Sequence, residues 1–218
     1  MTNAGALKET VCRSIDENRD RIIGVGEAIM DDPELGFKEH RTADKVQGVF
    51  TDLGLEFDSG LGLTGVKAVL RGGRPGPTVA LMGELDALQV PGHPRANPDT
   101  QAAHACGHNA QIAGLMGAAV GLQSAGIAEE LAGNIVFLAV PAEEYVEIDY
   151  RLGLVREGKT SFLCGKQELI KLGHFDDVDM AVMIHTKSPA REDGTHGVGL
   201  SSNGFLAKTV TFRGVAAH

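Results

Sequence analysis

Three short apolar runs, each followed at once by acidic or histidine residues, constrain the fold of this chain most strongly. They lie at residues 78–83, 134–140 and 179–184 and are rich in Val, Ile, Leu and Met. Gly, Pro or charged residues flank each run, as they flank the buried strands of a parallel sheet. The sequence therefore predicts an α/β fold.

The polar residues that follow these runs are candidates for one shared site. Glu84 and Asp86 follow the first run, Glu143 and Glu144 follow the second, and His185 follows the third. In open α/β sheets, ligands bind in the crevice beyond the carboxyl ends of the strands. We therefore expect these side chains to lie close together at one edge of the sheet.

A cysteine and histidine motif supplies further donors just before a predicted helix over residues 110–123. Its sequence, HACGHN, places Cys106 and His108 two residues apart. Thiolate, imidazole and carboxylate groups are the ligands that hold a zinc-like ion and leave it Lewis acidic. The pattern predicts a hydrolytic metal centre. His104, in the same motif, is either a further ligand or a structural residue.

Composition excludes several other classes of protein. With 218 residues, 43% of them hydrophobic, the chain can bury a large core in one domain, or in one domain plus part of another. A net charge of -9 argues against nucleic acid as a partner. No apolar run approaches the roughly 18 residues of a membrane span, and residues 1–20 lack the apolar core of a signal peptide. We expect no membrane partner and a cytoplasmic location.

Other local patterns predict the remaining elements and the extent of the chain. Residues 71–77 (RGGRPGP) predict a turn, so that strands over 66–70 and 78–82 form a hairpin and the sheet is mixed. The chain stops at His218 just after a strand predicted over 206–212, which indicates a piece of a longer or cut polypeptide. Helices are predicted over 15–30, 38–53 and 166–172.

The order of several motifs resembles that of a known family. These are the PELGF segment at 33–37, ELDAL at 84–88, HACGH at 104–108, PAEE at 141–144, His185, and GVAAH at 214–218. The chain is similar to the aminoacylase-like metallopeptidases and amidohydrolases. Within them it resembles the branch of indole-acetyl-amino-acid hydrolase, aminobenzoyl-glutamate hydrolase and 5-nitroanthranilic acid aminohydrolase.

The resemblance implies a domain organisation and an assembly. Residues 1–200 would form the amino-terminal part of a mixed-sheet α/β catalytic domain of the zinc-peptidase type. Residues 201–218 would begin an inserted, smaller α+β domain that mediates dimerisation. A homodimer or a higher homo-oligomer is therefore expected, with a small molecule as substrate.

The resemblance also implies a role for individual residues. Glu143 would be the general base that takes a proton from water activated by the metal, and Asp86 would orient a ligand imidazole. His218 would reach from the small domain, often of the partner subunit, to stabilise the oxyanion. The ligands of a divalent ion, Zn²⁺ or Mn²⁺, would be Cys106, His108, Glu144 and His185.

Departures from the family pattern lie beside the expected metal. Glu84 stands where this branch usually has Asp, and Asn109 and Gln111 stand where Asp and His are common. The loss of a carboxylate weakens the case for two tightly held ions, so we expect one well-bound ion and leave a second open. The segment 145–151 is not glycine-rich, unlike that of many relatives, which predicts a different substrate pocket.

Three functions stay open on these grounds. The first is a metal-dependent hydrolase that cleaves the amide bond of an N-acyl or N-aroyl amino acid or dipeptide. The second is an aromatic aminohydrolase that replaces an amino group by hydroxyl and releases ammonia, as with a 5-nitroanthranilate-like substrate. The third is a non-catalytic binding or scaffold protein of the same fold, in which Glu143→Gln would leave the function unchanged.

Overall fold

A computed structural model describes residues 4–186, 208 and 210–215. The chain divides into two compact units, residues 1–186 and 187–218. Of the second unit, Lys208 and residues 210–215 are described; they are exposed and lie in neither helix nor strand. The predicted second domain at 201–218 thus falls largely outside the described residues. Of the strand predicted over 206–212, residues 208 and 210–212 are described, and they do not lie in a strand. Every helix in the described ranges is too short or too polar to span a bilayer.

The first unit is a mixed α/β structure. Its main sheet has five strands in the order β1-β2-β6-β3-β7. A short 3-10 turn, Ala128–Glu130, precedes β6. In chain order the elements are α1 (Ala4–Glu17), α2 (Arg19–Met30), α3 (His40–Asp52), β1 (Phe57–Leu61), β2 (Gly65–Arg71), β3 (Arg74–Glu84), β4 (Leu88–Gln89), β5 (Ala102–Ala103), α4 (His108–Ser124), β6 (Ala132–Val140), α5 (Ile148–Arg156), α6 (Gly165–Lys171) and β7 (Met180–Met183).

The three apolar runs form the parallel part of this sheet. β3 pairs in parallel with both β6 and β7, whereas β2 pairs with β6 and β1 pairs with β2 in antiparallel fashion. The predicted α/β fold with a mixed sheet is therefore confirmed. Because β3, β6 and β7 run in the same direction, their carboxyl ends meet at one edge.

The predicted hairpin between the second and third strands is wrong. β6 lies between β2 and β3 and hydrogen-bonds to both of them. The glycine-rich segment 71–77 packs instead against the backbone at the start of β6, where a Cβ on Gly72 would overlap the carbonyl oxygen of Gly133. The hairpin of this sheet is β1–β2, whose turn carries Gly62 and Leu63 at positive φ.

Both faces of the sheet are covered at its central strand β6, whereas the edge strand β7 is exposed. Along β6, Phe137 and Ala139 point to a core shared with α2, α3 and α4, while Val136 and Leu138 pack on the opposite face with Leu169 of α6. This alternation follows the two-residue period of a strand. The helix predicted over 15–30 is two helices, α1 and α2, because the chain breaks at Asn18, where φ is -103° and ψ is 12°.

Candidate metal centre

The carboxyl ends of the parallel strands bring the predicted acidic and histidine residues together. Glu84 is the last residue of β3, Glu143 and Glu144 follow β6, and His185 follows β7. Cys106 and His108 reach the same edge because α4, which begins at His108, packs against β3. We call Cys106, His108, Glu143, Glu144 and His185 the donor cluster.

A left-handed glycine joins the two donors of the cysteine and histidine motif. Gly107 has a φ of +90° and precedes the first residue of α4. A Cβ at this position would overlap the side chain of Thr186. The Thr186 hydroxyl donates a hydrogen bond to the Cys106 carbonyl at 2.5 Å. Glycine therefore allows the tight turn that places Cys106 beside the end of β7.

Backbone carbonyls orient both histidines of the cluster. Nδ1 of His108 lies 2.8 Å from the carbonyl oxygen of Asp86, and Nδ1 of His185 lies 2.6 Å from that of Thr186. A carbonyl accepts only from an N–H, so each Nδ1 carries the proton in the neutral ring. Each Nε2 is then left with a lone pair, the state in which imidazole binds a metal ion.

The donor atoms form two groups that share His108. In the first, the donor atoms of Cys106, His108 and His185 lie within 4.8 Å of one another, and the Cys106 Sγ is 3.5 Å from the His185 Nε2. In the second, Glu84, His108 and Glu143 meet the same limit. Glu144 is outside both groups, although its Oε1 is 3.9 Å from the His108 Nε2.

Several buried atoms of this region fit a bound cation. The His108 Nε2, the Glu84 Oε2 and the Glu144 Oε1 have no hydrogen-bond partner among the described residues. Burial, together with Glu144, raises the pKa of the Cys106 thiol to about 12. Burial opposes a charged His108, yet Asp86 and Glu84 outweigh it and raise its pKa to about 10. A divalent ion would displace both protons and satisfy the unpaired atoms.

Burial also affects the carboxyl group of Glu143. Its side chain is one-third exposed, and burial and the charge of Glu84 raise its pKa. A carboxyl group with a raised pKa holds a proton more readily than an ordinary one and can return it later. The electrostatics of Glu143 therefore suit a general base.

Asp86 contacts the loop that carries the glutamates. Its carboxylate Oδ2 accepts a hydrogen bond from the Glu144 N–H at 2.9 Å, while its Oδ1 is 3.5 Å from the His108 Nδ1. The shorter contact to His108 comes from the Asp86 backbone carbonyl. Asp86 thus orients the imidazole through its main chain and the 141–144 loop through its side chain.

Two further buried ionisable residues hold the same loop, and sequence reasoning did not single them out. Glu39 accepts hydrogen bonds from the Ala142 N–H at 2.7 Å and from the Thr64 hydroxyl at 2.6 Å. Arg151 donates to the carbonyl of Ala142 at 3.3 Å and to that of Leu163 at 2.7 Å. We call Glu39, Asp86 and Arg151 the loop anchor.

Lys166 is another functional candidate that the sequence analysis missed. Its Nζ donates a hydrogen bond to the Oε1 of Glu84 and lies 3.8 Å from the Oε1 of Glu143. Burial opposes the charged form, but Glu84 outweighs it and raises the Lys166 pKa, so the ammonium persists. Helix α6 approaches closely because Gly165 has no side chain; a Cβ there would overlap the carbonyl oxygen of Pro141.

The residues that depart from the family pattern beside Cys106 have structural contacts. The Gln111 side chain accepts from the Glu84 N–H at 2.7 Å and donates to the Ile184 carbonyl at 2.6 Å, so it links the ends of β3 and β7. Asn109 donates to the carbonyl of Gly26 in α2.

His104 is buried outside both donor groups, and burial lowers its pKa to about 4. His218 lies outside the described residues.

Comparison with known proteins gives a consistent family. Residues 80–215 match the model of Peptidase family M20/M25/M40. Thermostable carboxypeptidase 2 of Saccharolobus solfataricus is 33% identical over 190 residues, which cover 84% of this chain and 43% of that protein. N-acyl-L-amino acid amidohydrolase of Geobacillus stearothermophilus is 30% identical over 194 residues, which cover 88% of this chain and 47% of that protein.

A solved structure has a similar fold. The YXEP protein of Bacillus subtilis, described as a dinuclear metal-binding peptidase of the M20 family, superposes with a TM-score of 0.61 at 26% identity. The match covers 76% of this chain and 42% of that protein. The chain thus spans less than half of the length of these relatives.

Proposed function

The chain belongs to Peptidase family M20/M25/M40, and on this premise we propose that it forms the metal-binding part of an amide hydrolase. The substrate we propose is an N-acyl or N-aroyl amino acid or dipeptide. The observation that carries the proposal is the convergence of the Cys106, His108 and His185 donor atoms beside the half-buried Glu143. Support for the reaction comes from the amidohydrolase among the relatives.

We propose that Cys106, His108 and His185 hold a divalent ion, with Glu144 as a further ligand. A thiolate and two imidazoles favour Zn²⁺ over Mn²⁺, which prefers oxygen donors. The Glu144 Oε1 would need only a small rotamer change to join them, since it lies 3.9 Å from the His108 Nε2. When bound, the ion would act as a Lewis acid toward water and the amide carbonyl.

Glu143 would move the proton in this reaction. Its carboxylate would accept a proton from the attacking water as the oxygen adds to the amide carbon. It would then give that proton to the departing nitrogen as the C–N bond breaks, which leaves a carboxylic acid and a free amine. The raised pKa of Glu143 suits both steps, since the group must be a base first and an acid second.

No contact in the described part of the chain favours aromatic deamination. That alternative depended on Asn109, Gln111 and the segment 145–151. Gln111 and Asn109 bond to the backbone, and Arg151 of that segment is fully buried under the 141–144 loop rather than lining an open pocket. The scaffold alternative is disfavoured by the close grouping of donors and base.

Four finer predictions accompany the proposal. We propose that the first 200 residues form the catalytic part and that a dimerisation domain starts at 201. We further propose a homodimer or higher homo-oligomer, in which His218 stabilises the oxyanion. A cytoplasmic location is also proposed.

The test is to follow heavy oxygen from labelled water into the products of the zinc-loaded protein, expressed from its full coding sequence. N-acyl amino acids, aminobenzoyl-glutamate and nitro-substituted aminobenzoates are the substrates. We expect label in a new carboxylate and release of an amino acid. Label in a phenolic hydroxyl with ammonia release would replace the proposal by deamination, and no turnover of any substrate would contradict it.

A pair of cysteine variants links this turnover to the metal. Cys106→Ser should lose zinc and turnover together, because the thiolate is removed from the donor group. Cys12→Ser is the matched control, since Cys12 is an exposed cysteine of α1. It should keep both properties.

A further inference from the structure

A lysine ammonium of the protein lies beside the second donor group, which consists of Glu84, His108 and Glu143. Its two carboxylates belong to Glu84 and Glu143, and both face the ammonium of Lys166. The Lys166 Nζ hydrogen-bonds to the Glu84 Oε1, and it lies 3.8 Å from the Glu143 Oε1. The first group, with Cys106 and His185, has no lysine or arginine contact among the described residues.

The position of Lys166 is fixed by the fold. The Gly165 N–H donates to the Ala142 carbonyl at 3.1 Å, which joins the start of α6 to the loop that bears Glu143. One turn further along α6, Leu169 is buried in the core on that face of the sheet. Because the start and the middle of this short helix are packed, the Lys166 side chain extends toward Glu84 with only 28% of its surface exposed.

The Glu84 side chain is too constrained to bind a metal ion in addition to the Lys166 ammonium. Its side chain is 1% exposed, and its backbone N–H is held by Gln111. One carboxylate oxygen bonds to Lys166 and the other lies 3.0 Å from the His108 Nε2. A metal ion in the second group would have to share this one buried carboxylate with the Lys166 ammonium, and like charges at such short range repel strongly.

We infer that the Lys166 ammonium takes the place of a second metal ion and restricts this centre to one ion, held by the Cys106 group. This inference rests on the proposed metal centre. Lys166 would supply one positive charge to Glu84 and Glu143 without an open coordination position. In its absence the same two carboxylates would form a vacant oxygen-rich site for a second divalent cation.

The test counts zinc ions per chain in the protein expressed from its full coding sequence. After chelator treatment and reloading, metal content is measured by mass spectrometry and the binding steps by calorimetry. We expect one ion in the wild type and two in Lys166→Met, which keeps the aliphatic stem and removes the charge. Lys171→Met is the matched control, an exposed lysine of the same helix, and should bind one ion.

Each other result has a defined meaning. Two ions in the wild type, or one ion in a folded Lys166→Met variant, would overturn the inference and leave the proposed hydrolase intact. No ion in the wild type would overturn both. Lys166→Gln repeats the count if the methionine variant does not fold. The wild-type ion should be lost in Cys106→Ser. If the ion is still bound in that variant, it is not held by the Cys106 group, and the inference is wrong.

Discussion

The donor cluster and the loop anchor lie side by side, and both contain buried charged groups, but their hydrogen bonds go to different partners. Anchor side chains bond mainly to backbone: Glu39 and Arg151 to Ala142, and Asp86 to the Glu144 N–H. In the cluster, the Glu144 Oε1 and the His108 Nε2 have no hydrogen-bond partner among the described residues. The anchor also has atoms that are unpaired in the described part of the chain, Asp86 Oδ1 and Arg151 Nε and Nη2. Its side chains nevertheless hold the loop backbone, whereas the free atoms of Glu144 and His108 lie 3.9 Å apart, close enough to share a ligand.

The largest expected effect is the loss of catalysis when a residue of the donor cluster is replaced. Glu143→Gln should lower kcat by about 10²–10⁴-fold, because the amide cannot accept the proton that the carboxylate takes. The melting temperature and zinc content should stay near the wild-type values, since the Glu143 side chain holds no backbone group. Steady-state kinetics and a thermal melt measure the two properties.

Glu157→Gln is the control for that substitution, because Glu157 is an exposed glutamate at the end of α5. It should change neither property. Full activity in Glu143→Gln would instead favour the scaffold interpretation.

The next effect is on stability, from the anchor side. Arg151→Met should lower the free energy of unfolding by about 3–5 kcal/mol, because it removes the buried guanidinium beside Asp86 and leaves the Leu163 carbonyl without its donor. Urea unfolding measures the change. Arg156→Met, at an exposed position of the same helix, should stay within about 0.5 kcal/mol of wild type. Similar losses in both variants would show that the burial of Arg151 is unimportant.

A smaller effect should appear in the pH dependence of stability. Burial, followed by the charge of Asp86, raises the pKa of Glu39 from 4.5 to about 7. The folded state therefore binds a proton that the unfolded state has lost, so stability is full below pH 4.5 and falls as the pH rises to about 7. The loss amounts to no more than about 3 kcal/mol.

Glu39→Gln should flatten this part of the profile. The amide oxygen can still accept from the Ala142 N–H, and the amide nitrogen can donate to the Thr64 hydroxyl. Unfolding free energies at several pH values between 4.5 and 7 provide the measurement. An unchanged slope in the variant would mean that another group is responsible for it.

The smallest effect on stability is expected for surface ion pairs, which neither bind a metal ion nor hold a buried loop. Hydrogen bonds from Arg41 lower the pKa of Asp32 to about 2, with a further contribution from Lys45. The resulting stability is present above pH 3.8 and is lost as the pH falls toward 2. Because these side chains are partly exposed, Asp32→Asn should cost less than about 1 kcal/mol. A larger loss in acid titration of the unfolding free energy would contradict this ranking.

The sequence predicted the parts of the fold that depend on local patterns. Strands β3, β6 and β7 were recognisable from their apolar runs, which are buried on both faces in β6, although the residues of β7 are exposed. Their shared edge followed from the rule for parallel strands. The hairpin prediction failed because residues 71–77 have the composition of a tight turn, yet β6, which is distant in sequence, pairs between the two strands.

The parts of the site that escaped prediction are single residues without a motif. Lys166 and Arg151 look like ordinary helix-surface cations in the sequence, and only the packing of α5 and α6 on the 141–144 loop buries them. Glu39 lies at the start of α3, where an acidic residue has a simple explanation as a cap. Glu39 and Ala142 are more than 100 residues apart in the sequence. No local pattern indicates that two such distant residues are hydrogen-bonded.

The central position of β6 has a consequence for hydrogen exchange. This strand hydrogen-bonds to β2 on one side and to β3 on the other, and most of its side chains are buried. Its amides should therefore exchange only through the rarest, most global openings of this unit. Glu143 and Glu144 extend from the end of that strand, so their placement would survive most local fluctuations elsewhere in the chain.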